Sequence, residues 1–333
     1  MLAQKILAAA ALMVLIAFLI ISRFPQPFAS SVDDSIGKGI NFLYRQQLDY
    51  GEFKMLACED DAMTKCFFDS TPFGTAFVLY SLKDVEGEKI KEMKEKAVSF
   101  LLSEKEEGGI WRYWTSRNPK HSGIPHDLDD TSVASFALKL NGVDVNNTAL
   151  ILGNKNAEGW FSTWFPNPKF EDVDCVVNAN VLLYLGKDDP EVCSKINKAI
   201  SSNEKCAIYY PDRHPERFAL FYSVSRAYEN GVTCFEESKG KIVSSILSTR
   251  KSDGSFGGDS LKTALALNAL LNFGYAGKEV DGGSAFLSQR QSGEGFWARG
   301  VFFYGDAPYY GSEELSTAFA IEALSKYLKA KKA

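Results

Sequence analysis

One pattern recurs along this chain, and it is clearest in Gly282-Gly283-x-x-Phe286-Leu287-x-x-x-Gln291-x-x-x-Gly295-x-Trp297. The same spacing connects Lys38-Gly39, Phe42-Leu43 and Gln47 to Gly51-x-Phe53. It also connects Lys96-Ala97, Phe100-Leu101 and Lys105 to Gly109-x-Trp111. An apolar pair followed by polar residues and a glycine is typical of a helix that ends at the glycine. Each copy therefore predicts a helix and a glycine turn that carries an aromatic side chain.

Two weaker copies end at Gly159-x-Phe161 and Gly254-x-Phe256, and the interval between them leaves room for a degenerate copy near Tyr209-Tyr210. The copies are then about 40–60 residues apart, a spacing typical of repeat proteins. Each copy precedes a segment that is small and apolar on most sides, which indicates a buried helix. These second helices are predicted at residues 71–82, 130–141, 175–185, 217–229, 262–273 and 316–328.

A helix pair of this kind cannot bury its apolar face alone, so the pairs must pack against one another. We predict an all-α fold, an (α/α)6 toroid with the second helices in an inner ring and the more charged first helices outside. No strand-type alternation is sustained in the sequence. Residues 32–333 are expected to form one toroid domain.

The spacing K/R-G/A-x-x-F-L-x-x-x-Q-x-x-x-G-x-W is similar to the QW repeat of squalene, hopene and oxidosqualene cyclases, over about residues 32–330. The resemblance implies a double ring of helices. Protein prenyltransferase β-subunits, complement thioester domains and cobalamin carriers share that ring, so the repeat indicates the fold more than the activity.

Three acids stand close together in His126-Asp127-Leu128-Asp129-Asp130-Thr131. A helix cap accounts for one or two of them, because Asp and Thr are favourable at a helix start. Repulsion between packed carboxylates raises the pKa of one and keeps it protonated. The segment resembles the DxDD motif of class II terpene cyclases. That resemblance implies Asp129 as the acid that protonates an alkene or epoxide, Asp127 and Asp130 as its polarising neighbours, and His126 as a hydrogen-bond partner.

A cavity for a carbocation needs apolar walls and aromatic faces. The candidate substrate-binding residues are the aromatic side chains in the glycine turns beside the acidic motif: Trp111, Tyr113, Trp114, Trp160, Trp164 and Phe165. Ordinary packing of the repeat is the alternative for each of them.

The resemblance implies an isoprenoid or another lipid-like small molecule as the partner. No DDxxD motif for ionising a diphosphate is present, so no cofactor is expected, and Mg²⁺ only if the substrate is a diphosphate. Zinc of the prenyltransferase kind is not expected, because Val173 stands where the Asp-x-Cys pattern at Cys175 needs an acid. Most class II cyclases have a second helical domain, and their active site lies between the two domains. With a single ring, either the ring lumen itself must form the closed cavity or the protein must form a homodimer.

Two other functions stay open. A non-catalytic exported toroid could bind a lipid, a cofactor or a protein at the cell surface, and a ring-fold hydrolase could cleave a polysaccharide with paired carboxylates. The net charge of -5 and the absence of a basic patch argue against a nucleic-acid partner.

The N-terminus differs from the rest of the chain. Residues 6–21 carry no charged or polar side chain and lie between Lys5 and Arg23. Residues 1–31 are expected to be either an uncleaved membrane anchor or a signal peptide cut near Ala29-Ser30-Ser31. The protein is therefore expected to be membrane-anchored and extracytoplasmic, or secreted or periplasmic after cleavage.

The 6 cysteines fit an exported protein with disulfides, because their number is even and none belongs to a CxxC pair. Six cysteines allow 15 pairings, so the sequence does not fix the connectivity. The polar loop between Cys58 and Cys66 makes that pair the best local candidate, and Cys193–Cys206 and Cys175–Cys234 are the other pairings we expect.

Overall fold

A computed structural model describes residues 31–165, 172–304 and 308–332. The helices of this part of the chain are α1 (Val32–Gln46), α2 (Pro72–Ser81), α3 (Glu88–Ser103), α4 (Leu128–Leu140), α5 (Thr148–Leu152), α6 (Cys175–Leu185), α7 (Pro190–Ser202), α8 (Phe218–Glu229), α9 (Glu236–Ser248), α10 (Ser260–Asn272), α11 (Lys278–Arg290) and α12 (Glu313–Lys332). Its strands are β1 (Leu56–Cys58), β2 (Cys66–Phe68), β3 (Phe303–Tyr304) and β4 (Tyr309–Gly311).

The even-numbered helices form a closed inner ring. Each of them packs against the next, from α2 to α12, and α12 packs against α2. Every residue of α2 is buried, whereas α1 on the outside buries only Ser35, Gly39, Phe42 and Leu43. The odd-numbered helices α1, α3, α9 and α11 pack against this ring, and α5 is the shortest of the odd-numbered helices. The structure confirms the (α/α)6 toroid and all six predicted inner helices.

One backbone hydrogen bond explains the aromatic position of the repeat. The N–H of Trp111 donates to Thr131 Oγ1 at 3.1 Å, and the N–H of Trp297 donates to Thr317 Oγ1 at 3.2 Å. The same bond joins three further aromatic residues to the next inner helix: Phe53 to Thr75, Phe161 to Asn178 and Phe256 to Thr263. The bond thereby ties the turns after α1, α3, α5, α9 and α11 to the inner helix that follows each of them.

The glutamine position of the repeat joins neighbouring outer helices. Gln47 Nε2 donates to the carbonyl of Gly51 in its own turn at 3.0 Å and to the carbonyl of Met93 on α3 at 2.9 Å. Gln291 Nε2 donates in the same way to Gly295 and to Ser35 on α1, both at 2.8 Å. The second bond links α11 to α1 and so helps to close the outer ring.

The glycine of the repeat turn cannot be replaced without strain. Gly295 has a φ of +99°, and a Cβ there would lie 2.4 Å from the carbonyl oxygen of Lys38. We expect Gly295→Ala to lower the free energy of unfolding by roughly 2 kcal/mol or more. The matched control is Gly293→Ala, because no atom lies within 4 Å of a Cβ at that position. Equal denaturation midpoints for the two variants would refute this account of the turn.

The strands form one small antiparallel sheet in the order β2-β1-β4-β3. Residues Leu56, Ala57 and Cys58 of β1 pair with β2 on one side and with β4 on the other. The sequence does not predict this sheet, because strands of two or three residues are too short to produce an alternating pattern.

The structure contains the disulfides Cys58–Cys66, Cys175–Cys206 and Cys193–Cys234. The first was expected, and the other two expected pairings were wrong. The loop before α8 lies against the start of α6, where the N–H of Cys175 donates to the carbonyl of Cys206 at 2.9 Å. Cys193 is therefore left opposite Cys234, with their Cα atoms 6.0 Å apart.

Peptide mapping without reductant should yield three cystine-linked peptide pairs that match these bonds. Thiol titration of the unfolded, unreduced protein should find no free thiol, because no free cysteine remains among the described residues. A Cys193–Cys206 peptide would contradict the placement of the loop before α8.

Among the described residues, no helix has the length and apolar character needed to cross a membrane. The expected leader at residues 1–31, with its apolar run at 6–21, lies almost wholly outside the described residues.

Candidate functional site

The acidic motif begins α4, and Asp127 is its N-cap. Asp127 Oδ1 accepts a hydrogen bond from the backbone N–H of Asp130 at 2.8 Å. Capping therefore accounts for Asp127 and not for the next two acids. Asp129 and Asp130 lie in the first turn of the helix with exposed fractions of 8% and 4%.

All three acids line a cavity of about 220 Å³. Its walls are largely aromatic: Phe73, Tyr113, Trp114, Trp164, Tyr209, Tyr210, Phe303, Tyr304 and Tyr310. Ile124, Thr163 and Val177 complete the described lining. An apolar cavity with a few convergent polar groups is the usual form of a small-molecule site.

The small sheet supplies one wall of the cavity. Phe303 of β3 stacks on Tyr310 of β4, with ring centroids 4.5 Å apart and an angle of 6° between the ring planes. Tyr113 meets both rings edge-on, at 5.6 Å and 5.4 Å. Phe73 of the inner ring packs edge-on against Phe303 at 5.1 Å. These contacts hold the aromatic faces in a fixed arrangement.

Asp129 is held at both carboxyl oxygens. Asn180 Nδ2, on α6, donates to Oδ1 at 2.7 Å, and the Tyr210 hydroxyl donates to Oδ2. Burial raises the pKa of Asp129 above its ordinary value, while the hydrogen bonds from Tyr210 and Asn180 and the charge of Arg226 oppose that rise. The result is a buried acid whose conjugate base already has donors in place.

Asp127 and Asp130 behave as a pair of adjacent buried acids. Burial raises the pKa of Asp127 to about 7. Burial, together with the neighbouring charge of Asp127, raises the pKa of Asp130 well above its ordinary value. Asp127 Oδ2 and Asp130 Oδ1 are buried without a hydrogen-bond partner among the described residues. A proton held by this pair at neutral pH reduces the repulsion between them.

The structure divides the candidate residues from the sequence into two groups. Trp114, Trp164 and Tyr113 line the cavity together with the three acids. Trp111 is fully buried in the ring packing, where its indole N–H donates to the carbonyl of Leu101 at 2.9 Å.

The remaining candidates are not in the described lining of the cavity. Trp160 is half-buried, with Lys195 Nζ 5.3 Å from its ring centroid, and Phe165 is buried. His126 Nε2 lies 2.7 Å from Glu106 Oε2. The His126 ring is therefore hydrogen-bonded to Glu106, and not to a carboxyl group of the acidic motif as expected.

Several lining residues were not found from the sequence. Phe303, Tyr304 and Tyr310 come from one aromatic-rich segment, whose composition could have been noticed. Tyr210 was noticed only as part of a degenerate repeat copy. Asn180, which contacts Asp129 from outside the described lining, is one of two asparagines on an otherwise largely apolar inner helix, and the sequence does not show which side chain it meets.

One group of potential metal ligands occurs in the described part of the chain: Asp188, Cys193 and Cys234. Both cysteines belong to one disulfide, so neither offers the thiolate that a metal needs.

No protein-family model matches the sequence, and a comparison with curated proteins gave no match. Solved structures do match. The type II terpene cyclase MstE from Scytonema is 15% identical with a TM-score of 0.69, and the alignment covers 91% of this chain and 100% of MstE. MstE has also been solved with geranylgeranyl dihydroxybenzoate as substrate and with merosterolic acid A as product.

Two further matches are enzymes with different activities. The ent-copalyl diphosphate synthase from Streptomyces platensis is 18% identical with a TM-score of 0.54, covering 77% of this chain and 50% of the synthase. An unsaturated glucuronyl hydrolase specific for heparin is 15% identical with a TM-score of 0.60, and the alignment covers 91% of this chain and 98% of the hydrolase. At these identities the likeness shows the fold alone. The chain has a class II terpene cyclase-like toroid fold.

Proposed function

We propose that this protein is a class II terpene cyclase, which uses Asp129 to protonate an isoprenoid and start its cyclisation. The observation that carries the proposal is a buried carboxyl group at the surface of an aromatic-walled cavity. Such an acid stays protonated in its apolar surroundings and is a strong donor when an alkene lies beside it.

The reaction needs no change in oxidation state. The Oδ2 proton of Asp129 forms a C–H bond with the π electrons of an alkene, and a carbocation remains on the neighbouring carbon. A second alkene of the same molecule attacks that carbon, and the ring closes. The final cation loses a proton from carbon to water, and the Asp129 carboxylate regains a proton from solvent, so the product is an isomer of the substrate. Ring faces such as those of Phe303 and Trp164 stabilise the cationic intermediates.

The lining favours an uncharged segment of substrate inside the cavity. Within the described residues it contains no Lys or Arg. The cavity of about 220 Å³ is also smaller than the ~300–1,000 Å³ of a typical ligand pocket, so a longer isoprenoid would extend out of it. A diphosphate, with Mg²⁺, would then lie outside the cavity.

A single ring is compatible with this chemistry. The alignment covers 100% of MstE, which is a type II terpene cyclase, whereas it covers 50% of the ent-copalyl diphosphate synthase. This supports catalysis in the ring lumen without a second helical domain.

The hydrolase alternative has less support. Glycoside hydrolases place two carboxylates on opposite sides of the scissile bond. Here Asp127, Asp129 and Asp130 come from one helical turn, so they lie on one side of the cavity. Asp127 also accepts the capping hydrogen bond of that helix.

We also propose that the enzyme works outside the cytoplasm, behind a leader at residues 1–31. The three disulfides support this, because such bonds persist in oxidising compartments.

Purified protein should be incubated with squalene, farnesyl diphosphate, geranylgeranyl diphosphate and geranylgeranyl dihydroxybenzoate, with products identified by mass spectrometry. We expect at least one cyclic product with the mass of its substrate. Binding of a polyprenyl compound without conversion would favour the non-catalytic toroid. The absence of both binding and conversion would overturn the proposal.

A further inference from the structure

A buried cation lies at the centre of the inner ring. Arg226 of α8 is 1% exposed, and its guanidinium carbon is 4.7 Å from the ring centroids of both Phe77 and Tyr80 on α2. It is 5.0 Å from the ring centroid of Tyr222 on its own helix. Because α2 and α8 are not neighbours in the ring, these contacts cross its centre.

Arg226 is connected to the acid of the cavity through one amide. Its Nη2 atom donates to Asn180 Oδ1 at 2.6 Å, and Asn180 Nδ2 donates to Asp129 Oδ1 at 2.7 Å. A guanidinium has only donors, so the Asn180 oxygen must face Arg226 and its NH2 group must face Asp129. The orientation of the amide is thus fixed by the cation behind it.

That orientation decides which oxygen of Asp129 carries a proton. Oδ1 receives an N–H donor and cannot also direct a proton towards Asn180. The Tyr210 hydroxyl donates to Oδ2 of the ionised carboxylate, but it can turn to accept when Asp129 is protonated, so the acidic proton is placed on Oδ2. Tyr210, the partner of Oδ2, lines the cavity, whereas Asn180, the partner of Oδ1, is not in its described lining.

We propose that Arg226 and Asn180 are a positioning pair, which places the acidic proton on Oδ2 of Asp129 and stabilises the carboxylate left after proton transfer. Its consequence for turnover rests on the proposed cyclase function, whereas its effect on the resting acid does not.

Most ionisable groups around Asp129 are acidic, and Arg226 supplies the positive charge that opposes the rise of the Asp129 pKa. The titratable groups that face Asp129 from α4, from the start of α6 and from the loop before α8 are Asp127, Asp130, Asp174 and Tyr210. Arg226 is the cation among the described residues whose charge lowers the pKa of Asp129. Behind Arg226, the Tyr222 hydroxyl donates to Glu322 at 2.8 Å, and Glu322 pairs with Lys326 at 3.0 Å.

The test is a titration of Asp129 in the resting protein. Protein labelled with ¹³C at the aspartate carboxyl carbons is titrated by NMR, and the Asp129 signal is assigned by its loss in Asp129→Asn. We expect Arg226→Met and Asn180→Leu to raise the Asp129 midpoint by about one pH unit or more. Arg226→Lys, which keeps the charge, should stay closer to wild type. Lys326→Met is the control for loss of a buried cation that does not reach Asp129.

Turnover supplies a second readout. If the wild type is active, Arg226→Met should lower kcat about tenfold and move the basic limb of its pH profile upwards. An unchanged Asp129 midpoint in folded Arg226→Met would overturn the proposal that Arg226 and Asn180 position the Asp129 proton. If Arg226→Met does not fold, the Asp129 midpoint in Asn180→Leu is the deciding measurement. Because the titration uses no substrate, an inactive wild type would refute the cyclase proposal and leave this inference to be judged separately.

Discussion

Replacing Asp129 with Asn should reduce turnover by about 10³-fold or more while the fold and its stability change little. Asn has the shape of Asp but no acidic proton, and general acids contribute ~10²–10⁴-fold to catalysis. Its amide oxygen can accept from Asn180 Nδ2, and its NH2 group can donate to the Tyr210 hydroxyl, so both contacts of Asp129 survive. Steady-state kinetics and thermal unfolding should be measured on the same preparation.

A capping residue of another inner helix is the matched control for this variant. Asp259 is the N-cap of α10, where its Oδ1 accepts from the N–H of Lys262 at 2.8 Å, and it does not line the cavity. Asp259→Ala should cost about 1 kcal/mol of stability and leave turnover intact. If the acidic motif served only to start the helix through its Asp127 cap, the wild type would convert no isoprenoid and Asp129→Asn would have no turnover to lose.

Replacing Asp130 with Asn should make the protein more stable at pH 8 and less active. Burial and the charge of Asp127 raise the pKa of Asp130 well above its ordinary value, so the folded state binds this proton more tightly than the unfolded state. Stability is therefore lost as pH rises above the unfolded pKa of about 3.9. Asn removes that loss, and the backbone N–H at position 130 still donates to the Asp127 cap.

We expect a gain of about 1–3 kcal/mol at pH 8 and little gain at pH 4, with turnover about 100-fold lower because Asp129 loses a polarising neighbour. Thermal unfolding across this pH range measures the difference. A variant whose stability follows pH as the wild type does would show that Asp130 does not hold a raised pKa.

The toroid could be predicted because its information is local and repeated. In two copies the Gln donates to the Gly of its own turn, as Gln47 does to Gly51 and Gln291 to Gly295, so the pair keeps a fixed spacing in the sequence. The inner helices were found because they are buried all round, as α2 is. The acidic motif was found for the same reason: its three carboxyl groups lie within one helical turn.

The parts that were missed depend on contacts between distant segments. Phe303 and Tyr310 reach the cavity through strands too short to produce a pattern. Trp111 and Trp114 come from the same turn, yet the first packs in the ring and the second lines the cavity, because the bond to Thr131 fixes only Trp111. The pairing of Cys175 with Cys206 depends on where the loop before α8 lies.

Incorporation of solvent deuterium tests the central claim most directly. The enzyme should be incubated in D2O with whichever isoprenoid it converts, and the cyclic product analysed by mass spectrometry and NMR. Protonation by Asp129, whose acidic hydrogen exchanges with solvent, predicts a single deuterium on the carbon that receives the proton, and no product from Asp129→Asn. A cyclic product that carries no deuterium, or one formed with release of diphosphate, would contradict a cyclisation that begins with proton transfer from Asp129.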